Sequence, residues 1–481
     1  MRRINYFAMS LLASAALAFT GCSSEDVING GTEKNDAADG FYMTLTVKTP
    51  QANQTRTSNK DRETEPGTAE ETTITKGTFY LCKGTSVIYT KSVVATDWVG
   101  EKGVTADGTG TTKPIKVSVN NVNLGDYDVY FLAGDHQNVA DPLNAEFSSE
   151  KGGSDYAADG NFVMFNQNDS QRAAAHGKVT FTEASKNEAT PAQSGEIYLD
   201  RTVARVDAPS ANVTTISKGT GTNEAKTKNV DAVKSIDFIS YAVANLSNRS
   251  FVMQNWSNEK STLVIPASNG YYKAKKDFGD TYNNAGEAFF GNEAHNYMFE
   301  NTVNTEDDAT SMYFCYTATL DDSKLPSEQK DFTDGTFYRY DKKIYTSLQQ
   351  IWDDSSVAWP FVYKDTNTKM TVAEALALIK ENGNLKAQAD LAQVREKYGI
   401  DIYEGGKMYY KTAIQDEKYH PEGYFSILRN SVYKLTVNHV YDLGKDVPNG
   451  PDPDAKNKNY YMQVTVVVNN WVVNKQNVDL K

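Results

Sequence analysis

Hydrophobic and polar positions alternate with period two through most of this chain, and the longest such run closes it. In residues 460–480, Met462, Val464, Val466 and Val468 fall on one face, with Gln463, Thr465 and Asn469 on the other. That is the pattern of a half-buried strand, and Val467 is its one exception. Past Asn469-Asn470 the alternation resumes, with Trp471 and Val473 on one side and Val472, Val478 and Leu480 on the other. One strand of that length would span roughly 66 Å at ~3.3 Å per residue, so the run predicts two consecutive strands. They either complete the chain's own sheet or lie in a neighbouring copy.

The same pattern opens the body of the chain. Phe41, Met43, Leu45 and Val47 share the buried face of a predicted first strand. The alternation then stops, and residues 49–71 form a polar run containing Pro50, Arg56, Lys60, Arg62, Pro66 and Gly67, which predicts an exposed, protease-accessible loop. Further strands are predicted at 78–80, 87–94, 115–119, 127–132, 162–165, 178–182 and 196–207, separated by Gly, Asn and Asp turns. No useful helical period precedes residue 208, so an all-β sandwich is expected there. A polar Thr/Lys/Asn/Gly stretch over 209–230 marks a domain boundary at or just before it.

Beyond that boundary strands are predicted at 235–246, 262–265, 312–320, 407–413 and 430–441, and here helices join them. Ser347 with Gln350 and Thr371 with Glu374 have capping-box spacing. The second box opens a helix with Val372, Ala375, Leu376 and Ile379 on one face. Another helix runs over 387–398 and stops at Gly399, a C-cap.

The N-terminus changes the picture of where this body resides. Met1-Arg2-Arg3, an apolar stretch over 6–19 and Thr20-Gly21-Cys22 have the order of a secretory signal, too short for a membrane span. The stretch resembles a bacterial lipoprotein signal with Cys22 as the lipidated first residue, although Phe19 stands where Leu is usual. Ser23-Ser24-Glu25-Asp26 resembles the acidic tag that directs Bacteroidetes lipoproteins to the outer face of the outer membrane. Residues 29–40 suit a flexible tether.

Composition narrows the class further. The 481 residues carry 62 acidic and 49 basic side chains, a net charge of −13, which disfavours nucleic acid as a partner. With 29 Tyr and 20 Phe the balance favours a β-rich secreted fold. After Cys22 only Cys82 and Cys315 remain, expected as two buried free thiols rather than a disulfide scaffold.

Candidate chemistry is sparse. The histidines at 136, 176, 295, 420 and 439 make no His-Glu-x-x-His motif, and none neighbours a cysteine at metal spacing. Asp452 and Asp454 imitate the start of a calcium loop, but Lys456 occupies a ligand position, so the stretch reads as a turn. Residues 103–113 lack the Gly-Lys-Thr ending of a phosphate loop. No catalytic, metal or cofactor site is expected. Carboxylates are too numerous to nominate a glycosidase pair. Arg201 and Arg205, inside an apolar strand, read as paired structural charges.

Four stretches together resemble a known family. They are Leu124-Gly-Asp-Tyr-Asp-Val-Tyr-Phe-Leu-Ala133; Ile197-Tyr-Leu-Asp-Arg-Thr-Val-Ala-Arg-Val-Asp207; Gly405-Gly-Lys-Met-Tyr-Tyr410 followed by Leu428-Arg-Asn-Ser-Val-Tyr-Lys-Leu-Thr-Val437 and Leu443-Gly444; and the run from Val464 to Val473 with Trp471. In this order, behind a lipoprotein leader, they resemble the fimbrillin family of Bacteroidales, the subunits of type V pili, most closely the Mfa-type subunit of the short (minor) fimbria. The resemblance implies an all-β protein of two transthyretin-like β-sandwich domains, the C-terminal one with inserted short helices. It implies a lipidated precursor at the outer membrane, an arginine-specific cut after the first strand and assembly by donor-strand exchange.

Physical reasoning fits that scheme. Losing the first strand would vacate a groove that held four apolar side chains, worth on the order of 6 to 12 kcal/mol before entropy. A strand from another subunit, with Met462, Val464, Val466, Val468, Trp471 and Val473 as donor residues, could fill it by β-augmentation. Head-to-tail donation does not close, so it makes a filament. The expected layout is a signal peptide over 1–21, a tether over 22–40, and a propeptide strand and cleavage loop over 41–56. An N-terminal domain over 57–208 and a C-terminal domain over 209–481, ending in donor-type strands at 460–480, complete it. Arg56 is the first choice for the cut and Arg62 the second. Expected partners are other copies, accessory fimbrial subunits and, through the lipid before maturation, the outer membrane, with adhesion to an unspecified surface ligand. Alternatives are an accessory, tip or anchor fimbrillin, a surface glycan-binding lipoprotein whose Tyr and Trp form a sugar platform and, third, a hydrolase.

Overall fold

Alternating strands need hydrogen-bonded neighbours, and most of those predicted find them. The computed structural model describes residues 40–472 apart from 51–62, 105–107, 119, 121, 135, 137, 161, 169–176, 222–223, 258–261, 273–293, 327–329, 417–424 and 449–461. The leader, Cys22, Arg56, Arg62, Asp452, Asp454 and Val473 lie outside the described residues. The architecture is mostly strand, with three short α-helices, Leu348–Asp353, Val372–Ile379 and Gln388–Tyr398, among the described residues.

The first sheet has nine strands. Its path runs Ser86–Val93, Gly77–Lys83, Gly125–Ala133, Met164–Asn166, Ala192–Arg201, Gly40–Lys48 and Thr109–Thr111. Gly177–Phe181 pairs beside Gly125–Ala133, and Ile115–Ser118 beside Gly40–Lys48. Gly125–Ala133 is apolar on both faces toward its end, where Val129, Phe131 and Leu132 are all wholly buried, so the sheet is covered on both faces there. A second, five-stranded sheet runs His295–Met298, Ala204–Asp207, Ser431–Val440, Met462–Val472 and Thr64–Pro66. A three-stranded sheet of Val233–Ala244, Ser311–Leu320 and Lys407–Ala413 shares its core, which includes Tyr316, Tyr410, Tyr433 and Leu435. The helices build a smaller core around Leu348, Ile351, Ala375, Ile379 and Leu391.

Local signals held where they were local. Thr371 and Glu374 form a complete capping box, and Gly399 caps its helix at φ +62°. Ser347 accepts the Gln350 amide, but the Gln350 side chain reaches back to the Thr346 amide instead of that of Ser347, so this box is half formed.

Three expectations are corrected. Residues 196–207 are two strands, not one: they break at Thr202, whose amide and hydroxyl both bond Val163 O at 3.0 Å, and the pieces join different sheets. The closing run is one unbroken strand as far as Val472. Asn469 and Asn470 do not interrupt it because backbone pairing with Val432 and Ser431 continues through them. The polar run 49–71 is not all exposed loop, since Thr64–Pro66 is a strand and Glu71 is buried. The polar stretch after residue 208 lies along Ser431–Val440, with the Ser210 amide on Leu435 O and the Ser217 amide on Val440 O, at 2.9 and 2.7 Å.

Cys82 and Cys315 are free and buried in separate strands. Burial pushes the Cys82 thiol up to about 12 and the Cys315 thiol to about 11. The thiolate is the reactive form, so both should stay unlabelled by an alkylating reagent at about pH 8 in the native protein and react once it is denatured. Mass measurement before and after denaturation checks this, and prompt native labelling of either would contradict the buried placement.

Candidate functional site

The first strand, Gly40–Lys48, is seated between neighbours on both edges. It runs parallel to Ala192–Arg201, with Met43 opposite Ala192 and Val47 opposite Ile197. A bulge between Thr44 and Thr46 is bridged by Thr46 N donating to Ser194 Oγ at 3.1 Å. On the other edge it runs antiparallel to Ile115–Ser118 and Thr109–Thr111. Between those two pieces, Leu45 N donates to Thr112 Oγ1 at 2.9 Å, and Thr112 N to Leu45 O at 3.0 Å. Phe41 is 2% exposed, and Met43, Leu45 and Val47 are wholly buried, so the predicted face is the core face. Phe41 packs on Phe181 with ring centroids 4.9 Å apart. Lys48 ends the strand in an ion pair with Glu196.

The chain returns to the described residues at Glu63, and Thr64–Pro66 pairs parallel with Asn470–Val472. Lys434 and Arg205 hold Glu65 at 2.8 and 3.6 Å. Just beyond, Glu71 enters a polar knot that the sequence reading missed. Its carboxylate accepts from Thr68 N (2.7 Å), Tyr297 Oη (2.7 Å), Arg205 Nη1 (3.2 Å) and Trp471 Nε1 (3.3 Å). Its carbonyl accepts from Arg201 Nε at 3.0 Å. Arg201, wholly buried, also donates through Nη1 to Asn430 Oδ1 and to Trp471 O, each at 3.1 Å. Trp471 lies at the centre: the Arg201 guanidinium carbon is 4.2 Å from a ring centroid, Tyr297 stacks at 5.8 Å, and Phe162 meets it edge-on at 5.7 Å. Arg205 is thus an ion-paired structural charge, as expected, while Arg201 is structural but held by two carbonyls and an amide oxygen.

Burial pushes the Glu71 carboxyl upward, but the Tyr297 hydroxyl, the Thr68 amide and the two guanidiniums outweigh it and hold it below its ordinary value. Burial brings Arg201 down to about 10, leaving it a cation at neutral pH. No sequence period could have flagged Glu71, which sits in a polar run.

The closing strand, Met462–Val472, completes its own sheet. It pairs antiparallel with Ser431–Val440 and places Met462 on the core, with Val464 and Val466 half-buried and Val467 44% exposed. Trp471, on the face that is exposed at Gln463 and Thr465, is nonetheless wholly buried, because the cover changes from solvent to the knot along the strand. Val468 pairs with Tyr433. His295 and His439 pack on Tyr297 and Tyr441, and among the described residues no three His, Cys, Asp or Glu side chains converge as a metal site.

These elements define an all-β protein whose first strand and closing strand are each seated in a sheet. Residues 401–477 match the family described as Major fimbrial subunit protein type IV, Fimbrillin, C-terminal. That segment includes Lys407–Ala413, Ser431–Val440 and the closing strand, so the chain carries a fimbrillin C-terminal region and the family resemblance is borne out there. No curated protein matches the chain. Among solved structures it is similar to a putative cell adhesion protein from Parabacteroides distasonis, at 13% identity over 91% of this chain and 99% of that one, TM-score 0.44. It is also similar to a fimbrilin from Porphyromonas gingivalis, at 13% identity over 91% and 99%, TM-score 0.42. The tip fimbrial protein Mfa3 from Porphyromonas gingivalis matches at 10% identity over 90% and 100%, TM-score 0.36.

A carboxyl held low in the folded state stabilises it fully above the unfolded value, about 4.5, and that contribution is lost as pH falls through the folded value. Glu71→Gln should therefore cost about 3–5 kcal/mol at neutral pH, where it strips a carboxylate from buried guanidiniums. The gap from wild type should close as pH drops below 4.5. Denaturation across pH checks this, and a gap that persists in acid would contradict the charge assignment.

Proposed function

We propose that this chain is a structural subunit of a cell-surface fimbria, exported as a lipoprotein through Cys22, cut after an arginine and polymerised by donor-strand exchange to support adhesion. The observation that carries this reading is the seating of the first strand. Phe41, Met43, Leu45 and Val47 fill a groove with neighbours on both edges, and the strand leads within a few residues into the stretch that holds Arg56 and Arg62. The fimbrillin C-terminal region supports it. While the chain is intact, the first strand is tethered to its groove at an effective concentration in the millimolar range, so an intermolecular strand competes poorly. A cut removes the tether, and a period-two strand from another copy can then replace it.

Arg56 is the better site. A protease needs an extended, accessible substrate, and the residues that follow Arg62 enter the paired strand Thr64–Pro66 almost at once. Arg56 lies further from that strand. Mature subunits would then lie at the outer membrane surface and in the fimbrium, with other copies and accessory subunits as partners. The anchor version of this reading keeps the lipid and the first strand. The glycan-binding version looks to exposed aromatics such as Trp352 and Tyr363.

Precursor lacking Cys22, treated with an arginine-specific protease, should acquire a new terminus at Thr57 and form filaments visible by electron microscopy. Deletion of residues 460–481 should abolish them. A terminus at Glu63 would move the site to Arg62. A cut chain that stays monomeric at high concentration would overturn shaft assembly in favour of the anchor or glycan-binding versions.

A further inference from the structure

The knot around Trp471 joins the stretch that follows the arginine-bearing loop to the strand that ends the described chain. We infer that it is a lock: docking of residues 64–72 keeps the closing strand seated, and the two segments leave the sheet together or not at all. Its consequence for assembly rests on the fimbrial reading; the lock itself is a property of the uncut chain.

Three observations carry it. Thr64–Pro66 covers the closing strand only at Asn470–Val472, the end that carries Trp471. Gly67 then passes over the knot at a separation at which any added side chain would push the knot's side chains aside. A Cβ there would stand 2.8 Å from Arg201 Nη2, 2.9 Å from Trp471 Nε1 and 3.1 Å from Glu71 Oε2. Finally, one docked residue serves two guanidiniums on one indole: the Glu71 carboxylate accepts from Arg205 and its carbonyl from Arg201, with Arg205 5.3 Å and Arg201 4.2 Å from the indole's ring centroids.

Lifting the segment removes the Glu71 carbonyl from Arg201, the Glu71 carboxylate from Arg205 and the acceptor from Trp471 Nε1. Arg205 keeps Asp207 at 2.8 Å. Among the described residues Arg201 keeps Asn430 Oδ1 and Trp471 O, and its Nη2 has no hydrogen-bond acceptor there even in the closed state. A wholly buried cation that has lost an acceptor draws in water, and Trp471, which lies on that cation, loses its own acceptor and the β-partner beside it in the same event, so the end of the closing strand loses what holds it. The coupling runs in both directions, as any equilibrium coupling must: a strand that leaves takes from the segment its β-partner and its Trp471 contact.

Hydrogen exchange on the uncut chain, read by mass spectrometry, tests this without any polymer. In Gly67→Ala the amides of Met462–Val472 should exchange at least tenfold faster than in wild type, while those of Gly40–Lys48 keep their wild-type protection. Trp471→Leu should accelerate the amides of residues 64–72 by a similar factor. Either variant exchanging at the wild-type rate in the coupled segment overturns the lock. If Gly67→Ala loses protection in Gly40–Lys48 as well, Glu71→Gln decides: faster exchange confined to Met462–Val472 supports the lock, and an unchanged rate overturns it. Failure of the cut chain to polymerise would count against the fimbrial reading and leave this result untouched.

Discussion

A wholly buried guanidinium must be given acceptors by whatever parts of the chain can reach it, and Arg201 draws them from three. Its partners stand 130, 229 and 270 residues away in sequence, at Glu71, Asn430 and Trp471. Burying a charge without such partners costs several kcal/mol, so these segments are tied to the point where Ala192–Arg201 hands over to Ala204–Asp207. That point is where the chain leaves the nine-stranded sheet for the five-stranded one. Asn430 shows what the arrangement demands. It adopts φ +55°, accepts from Arg201 and donates to Asp200, while its carbonyl takes the Trp471 amide at 3.3 Å.

The first strand is a different kind of constraint. It is parallel to one neighbour and antiparallel to the other, so its departure exposes two rows of backbone donors and acceptors with different spacing. The bulge at Thr44–Thr46 fixes where those rows shift. A replacement strand must therefore match more than a hydrophobic face, because a one-residue slip turns every apolar side chain outward. In the proposed exchange this makes the groove selective for a strand of defined register, and the selectivity comes from backbone geometry as much as from the four side-chain positions.

Much of the architecture was legible where the signal was local. Period two located Gly40–Lys48, Gly125–Ala133 and Lys407–Ala413, and the Thr371–Glu374 spacing located a helix start. What stayed hidden was decided at long range. Alternation reports which face is covered, but not by what, so it could not tell that Trp471 is buried on a face that is exposed eight residues earlier at Gln463. Asn469-Asn470 looked like a break because both side chains are polar, yet a strand is held by its backbone. Residues 196–207 read as one run because both sheets accept the same kind of residue. Glu71 gave no sign, since a buried acid is recognisable only from the arginines that meet it.

Burial along the closing strand gives the proposed exchange a direction. Val464 and Val466 are half-buried in their own sheet, whereas Met43, Leu45 and Val47 are wholly buried in the groove of the first strand. Completing the burial of one such side chain gains roughly half of the ~1.5–3 kcal/mol that full burial is worth. Moving this part of the strand into a neighbour's vacated groove would therefore gain side-chain burial at these two positions. Trp471 opposes the move: it is wholly buried already, with stacking, cation–π and hydrogen-bond partners that a groove lined for Phe41, Met43, Leu45 and Val47 does not reproduce. In that exchange the closing strand would gain burial at Val464 and Val466 and give up a seated Trp471 at one end, and the residue that holds it there is the one tied to the segment just past the arginines.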